Sequence, residues 1–340
     1  MSDELRPAFH SYTGVDPAGA DGGGLNLAWT RDERECLAVD LDAVLADELR
    51  AEIAGPRALD QYLVRDPYGE ETLGASIASA FQLSEWRDRI TCGAGVVSLL
   101  HARARLAARD TVRIIGSVYP DVPYWVAQQA RAVGPAVWFV ERPSLTGDAY
   151  AQLSDVAGLS DEAARANAIL VIDESNANYY PPAWSAITLA RENIVLARGL
   201  SKAYGLGALR VGYCVAAPAL TERIRTVIPP LLASSLSLRI AARVLGLGDL
   251  GAPLRTRIAA HKREMIELLV RAGIDDLVPA SEHLPYVLSR GSAATLQARG
   301  LVGKNHPFWA GGGLDHIYRL SVPLSRARMS VLRRRLEEGC

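Results

Sequence analysis

The residues of this chain with the clearest chemical potential lie in a glycine-rich stretch near its middle. There Lys202 directly follows Ser201, and Arg210 stands eight residues after the lysine. Upstream, the apolar run 168–172 ends in a carboxylate, Asp173. Because arginines greatly outnumber the three lysines, each lysine is a candidate for a special role. The sequence therefore brings an amine, a fixed cation and a carboxylate into one part of the chain.

These are the groups that a pyridoxal-phosphate site needs. An amine forms an imine with the cofactor aldehyde, a cation holds the phosphate, and a carboxylate keeps the pyridine nitrogen protonated. We therefore predict that Lys202 bonds to the cofactor and later acts as general base, while Asp173 pairs with the pyridine N–H. Arg210 would clamp the phosphate, and the Ser201 hydroxyl would add a hydrogen bond. The ordinary alternatives are a solvated surface lysine and an aspartate that caps a helix.

Two further segments fit the same kind of site. Gly93, Ala94 and Gly95 lie between a predicted strand and a predicted helix, where backbone N–H groups can bind phosphate oxygens. Such a turn is also common without any ligand. Arg319 lies in the otherwise apolar strand 317–322, and a buried guanidinium needs a partner. The α-carboxylate of an amino-acid substrate would be one, and a structural salt bridge is the alternative.

Size and composition exclude several classes of protein. With 340 residues, 49% of them hydrophobic, the chain is long enough for two domains with large cores. The formal net charge is -1, which gives no basic excess for binding nucleic acid or an anionic membrane. The four cysteines are far apart and lack metal-ligand spacing, so we expect no metal site. Because we find no signal-peptide core and no apolar run of ~20 residues, we expect a cytoplasmic protein.

The elements that must hold the candidate residues alternate between short apolar strands and helices. This alternation favours a largely parallel sheet covered on both faces. Open sheets of this kind bind ligands at the carboxyl ends of their strands, where both Asp173 and Lys202 fall. We predict an N-terminal arm with part of a small domain at 1–54, a large domain at 55–245 and a small C-terminal domain at 246–340. The predicted strands of the large domain are 90–92, 112–115, 136–140, 168–172, 194–197 and 211–215.

The segment 201–210 resembles the lysine signature of fold-type I pyridoxal-phosphate enzymes. More narrowly, it is similar to class I/II aminotransferases near histidinol-phosphate aminotransferase and threonine-phosphate decarboxylase. Asp173 and Glu174 resemble the acidic pair at a strand end in that family, and 317–322 resembles its carboxylate-binding arginine strand. The resemblance covers roughly residues 55–335.

The resemblance implies a three-layer α/β fold like that of aspartate aminotransferase, with a large domain built on a mixed seven-stranded sheet and a small α/β domain. It also implies a homodimer that shares its active site across the subunit interface. In such dimers a tyrosine of the partner subunit reaches the phosphate, and Tyr62, or alternatively Tyr68, occupies the matching region. An aromatic ring stacks on the cofactor. Tyr119 and Tyr124 are the candidates, with core packing as the alternative.

Three positions depart from the family pattern. Ser144 stands where the family has an asparagine that donates to the ring oxygen O3′, and Asn176 stands where it has a tyrosine directed at the same oxygen. Gly199 replaces a hydroxyl residue three positions before the lysine. Changed O3′ contacts would change the pKa and electronics of the bound cofactor, which speaks against plain transamination. Asn176 or Asn178 is a candidate replacement donor.

The implied function is catalysis on a small α-amino acid through removal of its Cα proton. Transamination is one alternative, and elimination, cyclisation or replacement of a side-chain group is another. The segment 173–179 is similar to a branch of tailoring enzymes that includes capreomycidine synthase, which suggests specialised metabolism such as antibiotic biosynthesis. Segment 27–30 replaces the expected asparagine-rich loop, so Trp29 joins Arg319 and Asn178 as a candidate substrate-binding residue. A non-catalytic binding protein with the same fold is the remaining alternative.

Overall fold

The described part of the chain alternates between short strands and helices. The structure is a computed structural model, and it describes residues 24–55, 65–107, 111–128, 134–146, 150–278, 280–306 and 317–337. None of the described helices has the length and apolar character needed to cross a bilayer. The strands are β1 (Leu25–Asn26), β2 (Ile90–Ala94), β3 (Val112–Ile115), β4 (Ala136–Glu141), β5 (Ala168–Asp173), β6 (Ile194–Gly199), β7 (Val211–Ala216), β8 (Leu277–Val278), β9 (Tyr286–Ser289), β10 (Leu301–Val302), β11 (Lys304–His306) and β12 (Ile317–Ser321). The helices are α1 (Leu41–Ala54), α2 (Glu70–Phe81), α3 (Val96–Leu106), α4 (Asp121–Ala127), α5 (Leu153–Arg165), α6 (Pro218–Arg225), α7 (Ser235–Leu245), α8 (Ala252–Arg271), α9 (Ala293–Ala298) and α10 (Arg326–Glu337).

Six strands form one large mixed sheet in the order β2-β7-β6-β5-β4-β3. Strands β3 to β6 run parallel to one another, and β7 runs antiparallel to both β6 and β2. In register, Asp173 at the end of β5 lies beside Glu141 at the end of β4 and beside Ala197 of β6. Two carboxylates therefore lie at the edge where open α/β sheets bind their ligands.

Both faces of the large sheet are buried, which explains why its strands are apolar throughout instead of alternating with polar residues. Every residue of β5 is buried. Ile169 and Val171 belong to the core that contains residues of α3, whereas Leu170 and Ile172 belong to the core that contains residues of α5. Successive side chains of a strand point to opposite faces, so β5 supplies both cores. The sheet is thus the middle layer of a three-layer fold.

The described residues contribute six strands to the large sheet, one fewer than the seven that the resemblance implied. Helix α4 ends at Ala127 and β4 begins at Ala136, so eight residues connect them. A further parallel strand with its return crossover needs about a dozen residues or more. The connection is too short for an additional strand at this point, and β3 pairs directly with β4.

Residues near both ends of the chain pack together. Strand β1 pairs with β10, and β11, β12, β9 and β8 form a four-stranded antiparallel sheet. The carboxylate of Asp32 accepts a hydrogen bond from Arg328 of α10, whose guanidinium also donates to the carbonyl of Asn26. These bonds tie the segment before α1 to the C-terminal helix. The domain boundaries near residues 54 and 245 stay a prediction.

Candidate active site

A cavity of about 220 Å³ opens at the carboxyl edge of β4 and β5. Its wall combines charged, hydroxyl and aromatic side chains from the large sheet, from the segment after β1 and from the antiparallel sheet. We call it the central cavity. Its wall contains seven of the residues predicted from the sequence, namely Trp29, Tyr119, Asp173, Asn176, Ser201, Lys202 and Arg319. The other residues of the wall are Thr30, Val118, Pro120, Glu141, Leu145, Ser175, Tyr286 and Lys304.

Asp173 and Lys202 meet at the cavity because β5 and β6 are neighbours and both residues stand at or after a strand end. Asp173 is buried, and its Oδ1 accepts a hydrogen bond of 2.9 Å from the backbone N–H of Ser175. Burial raises the pKa of Asp173, and the Ser175 hydrogen bond and the charge of Lys202 oppose this. Burial and then the charge of Arg319 lower the pKa of Lys202, against the pull of Asp173 and Glu141. The amine is thereby shifted toward the neutral form that imine formation needs.

Arg210 lies beside the glycine turn at the start of α3. Its Nη2 donates to the carbonyl of Ala94 at 2.9 Å, and its own backbone has a φ of 53°. Gly95 has a φ of 79°, and a Cβ there would lie 2.5 Å from Arg210 Nη2. A Cβ on Gly212 of β7 would lie 2.4 Å from the backbone of Gly95 and Val96. Because glycines stand at these two positions, the guanidinium of Arg210 can lie next to the backbone N–H groups at the start of α3. This arrangement suits a phosphate.

Arg319 of β12 has unused hydrogen-bonding capacity at the cavity. It is buried, and its Nη2 donates to the carbonyl of Ala28 at 3.1 Å. Its guanidinium carbon lies 4.4 Å from the ring centre of Tyr286. Its Nε is buried without a hydrogen-bond partner in the described part of the chain, and no described carboxylate forms a salt bridge with it. Such a guanidinium can bind the carboxylate of a ligand.

Glu141 also lines the cavity, although it is not among the site residues predicted from the sequence. It ends the apolar strand β4 as Asp173 ends β5, so a carboxylate after a buried strand was the signal that could have found it. The Nδ2 of Asn176 donates to Glu141 Oε1 at 3.2 Å. Burial and the charge of Asp173 raise the pKa of Glu141 to about 8, against the hydrogen bond from Asn176 and the charge of Lys202.

Lys304 is a further cationic residue of the cavity wall that sequence reasoning missed. It lies opposite Arg319 in the register of β11 and β12, and its Nζ is 5.0 Å from the ring centre of Trp29. Burial and then the charges of Arg319 and Lys202 lower its pKa to about 7. The scarcity of lysine was the available signal. The third lysine, Lys262, is buried as well and donates to two backbone carbonyls.

Two predicted polar residues take part in other contacts. Asn178 is buried, donates to the carbonyl of Gly199 at 2.6 Å and accepts from Arg198 at 2.7 Å. Its amide is engaged at both ends, beside β6 and outside the cavity wall. The hydroxyl of Ser144 lies 3.4 Å from that of Ser117 and accepts from the backbone N–H of the residue two positions on. Of the two asparagines considered as donors, the structure places only Asn176 at the cavity.

The candidate tyrosines have separate locations. Tyr119 lines the cavity and stacks on Trp125, with ring centres 5.8 Å apart. Tyr124 lies on α4, outside the wall that the described residues form. The hydroxyl of Tyr68 donates to a backbone carbonyl at 3.3 Å. Tyr62 lies outside the described residues.

Comparison with protein families agrees with this geometry. The model of the family described as aminotransferase class I and II matches residues 140–310, which is half of the chain. The chain belongs to the class I and II aminotransferase family. The matched range of this aminotransferase-family protein includes Glu141, Asp173, Lys202 and Arg210.

Individual relatives of this aminotransferase-family protein agree with the assignment. Histidinol-phosphate aminotransferase 2 of Bacillus cereus is 28% identical over 219 residues, which are 55% of this chain and 58% of the relative. The chain therefore spans little more than half the length of that relative. The solved histidinol-phosphate aminotransferase of Clostridium acetobutylicum has a TM-score of 0.70 at 15% identity, covering 92% of this chain and 98% of that one. The Sinorhizobium meliloti enzyme of the same name, solved in complex with pyridoxal-5′-phosphate, has a TM-score of 0.65 at 18% identity, covering 87% of each chain. The fold is therefore the fold-type I architecture that the resemblance implied.

Members of this family use pyridoxal phosphate, and the residues of the central cavity fit that group. An amine, Lys202, and a carboxylate, Asp173, share the cavity wall. Arg210 beside the glycine turn can hold a phosphate. Asn176 Oδ1 and Arg319 Nε are buried polar atoms for which the described chain supplies no partner. Unpaired buried polar atoms at a cavity indicate that a polar ligand completes the site.

Proposed function

We propose that the protein is a pyridoxal-phosphate enzyme that acts at the Cα of a small amino-acid substrate. When bound, the cofactor supplies an aldehyde that captures amines and a ring that accepts electrons. Lys202 holds the cofactor and, when its amine is free, removes the Cα proton. Asp173 keeps the proton on the ring nitrogen, and Arg319 binds the α-carboxylate. The observation that carries this proposal is that Lys202, Asp173 and Arg319 line one cavity.

The remaining contacts proposed for the cofactor come from residues around the same cavity. Arg210, Ser201 and the turn at Gly95 would hold the phosphate, and Tyr119 would lie against the ring. A homodimer with a shared site is part of the proposal, with Tyr62 as the residue that crosses to the partner subunit. Burial in the cavity wall would exclude water from the reacting atoms, which strengthens each charged contact.

Two reaction types follow from the proposal, and both begin with removal of the Cα proton. Amino transfer is supported by the relatives, several of which are called aminotransferases. Elimination or cyclisation in specialised amino-acid metabolism is supported by the altered surroundings of the ring oxygen. Ser144 and Asn176 stand where the family has an asparagine and a tyrosine, and their side chains contact Ser117 and Glu141, so the side chains available to that oxygen differ from those of the family.

Borohydride reduction of the cofactor-loaded protein tests the proposal. Reduction should fix the cofactor on Lys202, which mass spectrometry would detect on the peptide that contains this residue. Lys202→Arg keeps a positive charge but cannot form the bond, so it should lose the mass increase and should change the visible absorbance, because only the free aldehyde can bind. A wild-type protein that shows neither signal would contradict the proposal.

Product analysis separates the two reaction types. Amino acids would be supplied with and without a keto-acid acceptor. Amino transfer should convert the acceptor to an amino acid and should stop without it, whereas without the acceptor elimination should still release ammonia and cyclisation should still give a cyclic amino acid. Lys202→Arg is the matched control for both assays. Ammonia release that needs no acceptor would exclude simple amino transfer for that substrate.

A further inference from the structure

The Asn176 side chain lies at the cavity wall with only one end of its amide hydrogen-bonded. The residue is 7% exposed, and its Nδ2 donates to Glu141 Oε1 at 3.2 Å. Its Oδ1 is buried, and none of the described residues donates to it. A buried acceptor without a donor is unfavourable. A different placement of the protons on Asn176 and Glu141 can give the Asn176 oxygen a donor.

Glu141 is surrounded by charged groups from several elements. Asp173 lies beside it at the end of β5, Lys202 approaches from the loop after β6, and Arg319 faces it from β12. Burial and the charge of Asp173 raise the pKa of Glu141 to about 8, so this carboxyl holds a proton near pH 7. A protonated carboxyl is a hydrogen-bond donor as well as an acceptor.

The orientation of an amide side chain is set by its hydrogen-bond partners, because its oxygen and nitrogen ends have the same shape. If Glu141 is neutral, rotation of the Asn176 side-chain amide by half a turn exchanges its oxygen and nitrogen. The Glu141 O–H can then donate to Asn176 Oδ1. The buried acceptor is then paired. The NH2 group simultaneously turns away from Glu141 and takes the position of the buried oxygen, so this residue of the cavity wall offers a donor in place of an acceptor.

We propose that Glu141 is a positioning residue, which as a neutral acid donates to Asn176 Oδ1 and holds the amide NH2 toward the cavity. There the NH2 group donates to an anionic oxygen on the cofactor ring. Pyridoxal phosphate carries a phenolic hydroxyl that supplies such an oxygen when ionised. The inference rests on the proposed function, because it needs the cofactor in the central cavity. It assigns the donor role to Asn176, in the loop after β5, and the positioning role to Glu141, at the end of β4.

The test uses the cofactor-loaded protein and the variants Glu141→Gln, Glu141→Leu and Asn176→Ala. The readout is the pH midpoint at which the visible absorbance changes, together with the cofactor dissociation constant. A donor to the ring oxygen stabilises its ionised form, so loss of the donor should move the midpoint to higher pH. We expect Glu141→Leu and Asn176→Ala each to raise it by about one pH unit, the size of one hydrogen bond to a charged oxygen.

The conservative variant and the double variant make the assignment specific. Glu141→Gln provides an N–H that can donate to Asn176 Oδ1 at every pH, so its midpoint should stay within about 0.3 units of wild type. Because the two residues act as one unit, the combination of Glu141→Leu with Asn176→Ala should shift the midpoint no further than Asn176→Ala alone. Additive shifts would overturn the inference. Glu192→Gln, at an exposed carboxylate paired with Arg89, is the control for removing a negative charge elsewhere.

Measurements on Ser144→Ala, Asn176→Ala and the wild-type protein distinguish the remaining outcomes. A shift caused by Ser144→Ala but not by Asn176→Ala would place the donor elsewhere and overturn it. If circular dichroism shows that Glu141→Leu does not fold, Asn176→Ala decides alone, and an unchanged midpoint overturns the inference. A wild-type protein without visible absorbance in the presence of the cofactor would refute the proposed function itself. A normal wild-type absorbance with unshifted variants would refute only the role of Glu141.

Discussion

Asp173 and Glu174 are adjacent in the sequence but have different surroundings. Asp173 faces the central cavity, whereas Glu174 is fully buried away from it. Glu174 Oε1 lies 2.8 Å from Arg142 Nη1, and Oε2 lies 2.5 Å from Arg198 Nη1. A serine hydroxyl and a backbone N–H also donate to this carboxylate. Of the acidic pair, one residue is therefore available for chemistry, and the other holds together the segments around β5.

Removal of the buried carboxylate should destabilise the protein strongly. Glu174→Ala would leave the guanidinium groups of Arg142 and Arg198 buried without their negative partner. We expect a loss of about 3–5 kcal/mol in the free energy of unfolding, measured by urea denaturation. Glu192→Ala removes an exposed partner of Arg89 and should cost less than about 1 kcal/mol. Similar losses for the two variants would contradict this account of Glu174.

Glu141 should give the cofactor-free protein a distinct pH dependence of stability. Its pKa rises from an ordinary value of 4.5 to about 8 on folding, so the folded state binds this proton more tightly than the unfolded chain. Its contribution to stability is therefore present below about pH 4.5 and is lost as the pH rises toward about 8. Glu141→Gln does not titrate, so its melting temperature relative to wild type should increase across this window. A constant difference between the two proteins would show that Glu141 does not hold a proton there.

At the scale of elements, the site depends on the close approach of β7 to the start of α3. Gly212 lies so near to Gly95 and Val96 that a Cβ would come within 2.4 Å of their backbone atoms. Arg210 immediately precedes β7, so the same packing sets the distance between its guanidinium and the helix start. Backbone contact between these two elements therefore helps to position the proposed phosphate site.

Gly212→Ala should therefore impair cofactor binding. The new methyl group forces the start of α3 away from Arg210, and we expect the dissociation constant for pyridoxal phosphate to rise at least about tenfold, which corresponds to about 1.4 kcal/mol. Gly158→Ala is the matched control, because Gly158 lies in α5 with open space where a Cβ would stand. That variant should leave binding unchanged and stabilise the helix by about 0.5–1 kcal/mol. Unchanged cofactor affinity in Gly212→Ala would contradict the role given to this approach.

Sequence signals predicted the elements of the large sheet because each strand there is a separate apolar run. The run 168–172 became β5 with its carboxylate at the end, and 211–215 became β7 with one more residue. Strands β1, β8, β10 and β11 were not predicted, since two or three residues are too few to show a period. Their positions depend on the pairing partner that tertiary structure provides.

In the candidate site, too, some residues could be placed from sequence signals, whereas the positions of others depend on tertiary structure. Lys202 and Asp173 could be placed at the same edge of the sheet because both stand just past the end of a predicted strand. Glu141 directly follows the predicted strand 136–140, so the same signal was available for it, but its place beside Asp173 follows from the register of β4 against β5, which a single sequence does not set. The directions of Ser144 and Asn178 depend on the path of loops, where side chains follow no fixed period.

At the scale of the whole molecule, both ends of the chain contribute to the cavity. Trp29 and Thr30 follow β1, and Arg319 reaches back to the carbonyl of Ala28. Arg328 of α10 fixes the same segment through its bonds to Asp32 and to the backbone. The proposed substrate side of the site therefore depends on a contact between distant parts of the sequence, while the cofactor side depends on the large sheet.

Arg328→Met should loosen the N-terminal segment without disturbing the cofactor. We expect amide hydrogen exchange across residues 25–32 to increase about tenfold or more, since the lost bonds include one to a charged carboxylate. The KM for an amino-acid substrate should rise, and the cofactor dissociation constant should stay within about twofold of wild type. Arg333→Met, on the same helix at an exposed ion pair with Glu264, is the control. Equal exchange in the two variants would contradict the coupling.

The interior location of all three lysines has a practical consequence. Lys262 is buried, and Lys202 and Lys304 are reached from the central cavity, so the outer basic side chains are guanidinium or imidazole groups. Acylating esters, which attack neutral amines, should therefore spare the exterior side chains and, among the lysines, label Lys202 and Lys304 in the pocket. Bound pyridoxal phosphate should protect those amines, so the extent of acylation in the pocket would measure the fraction of unoccupied sites.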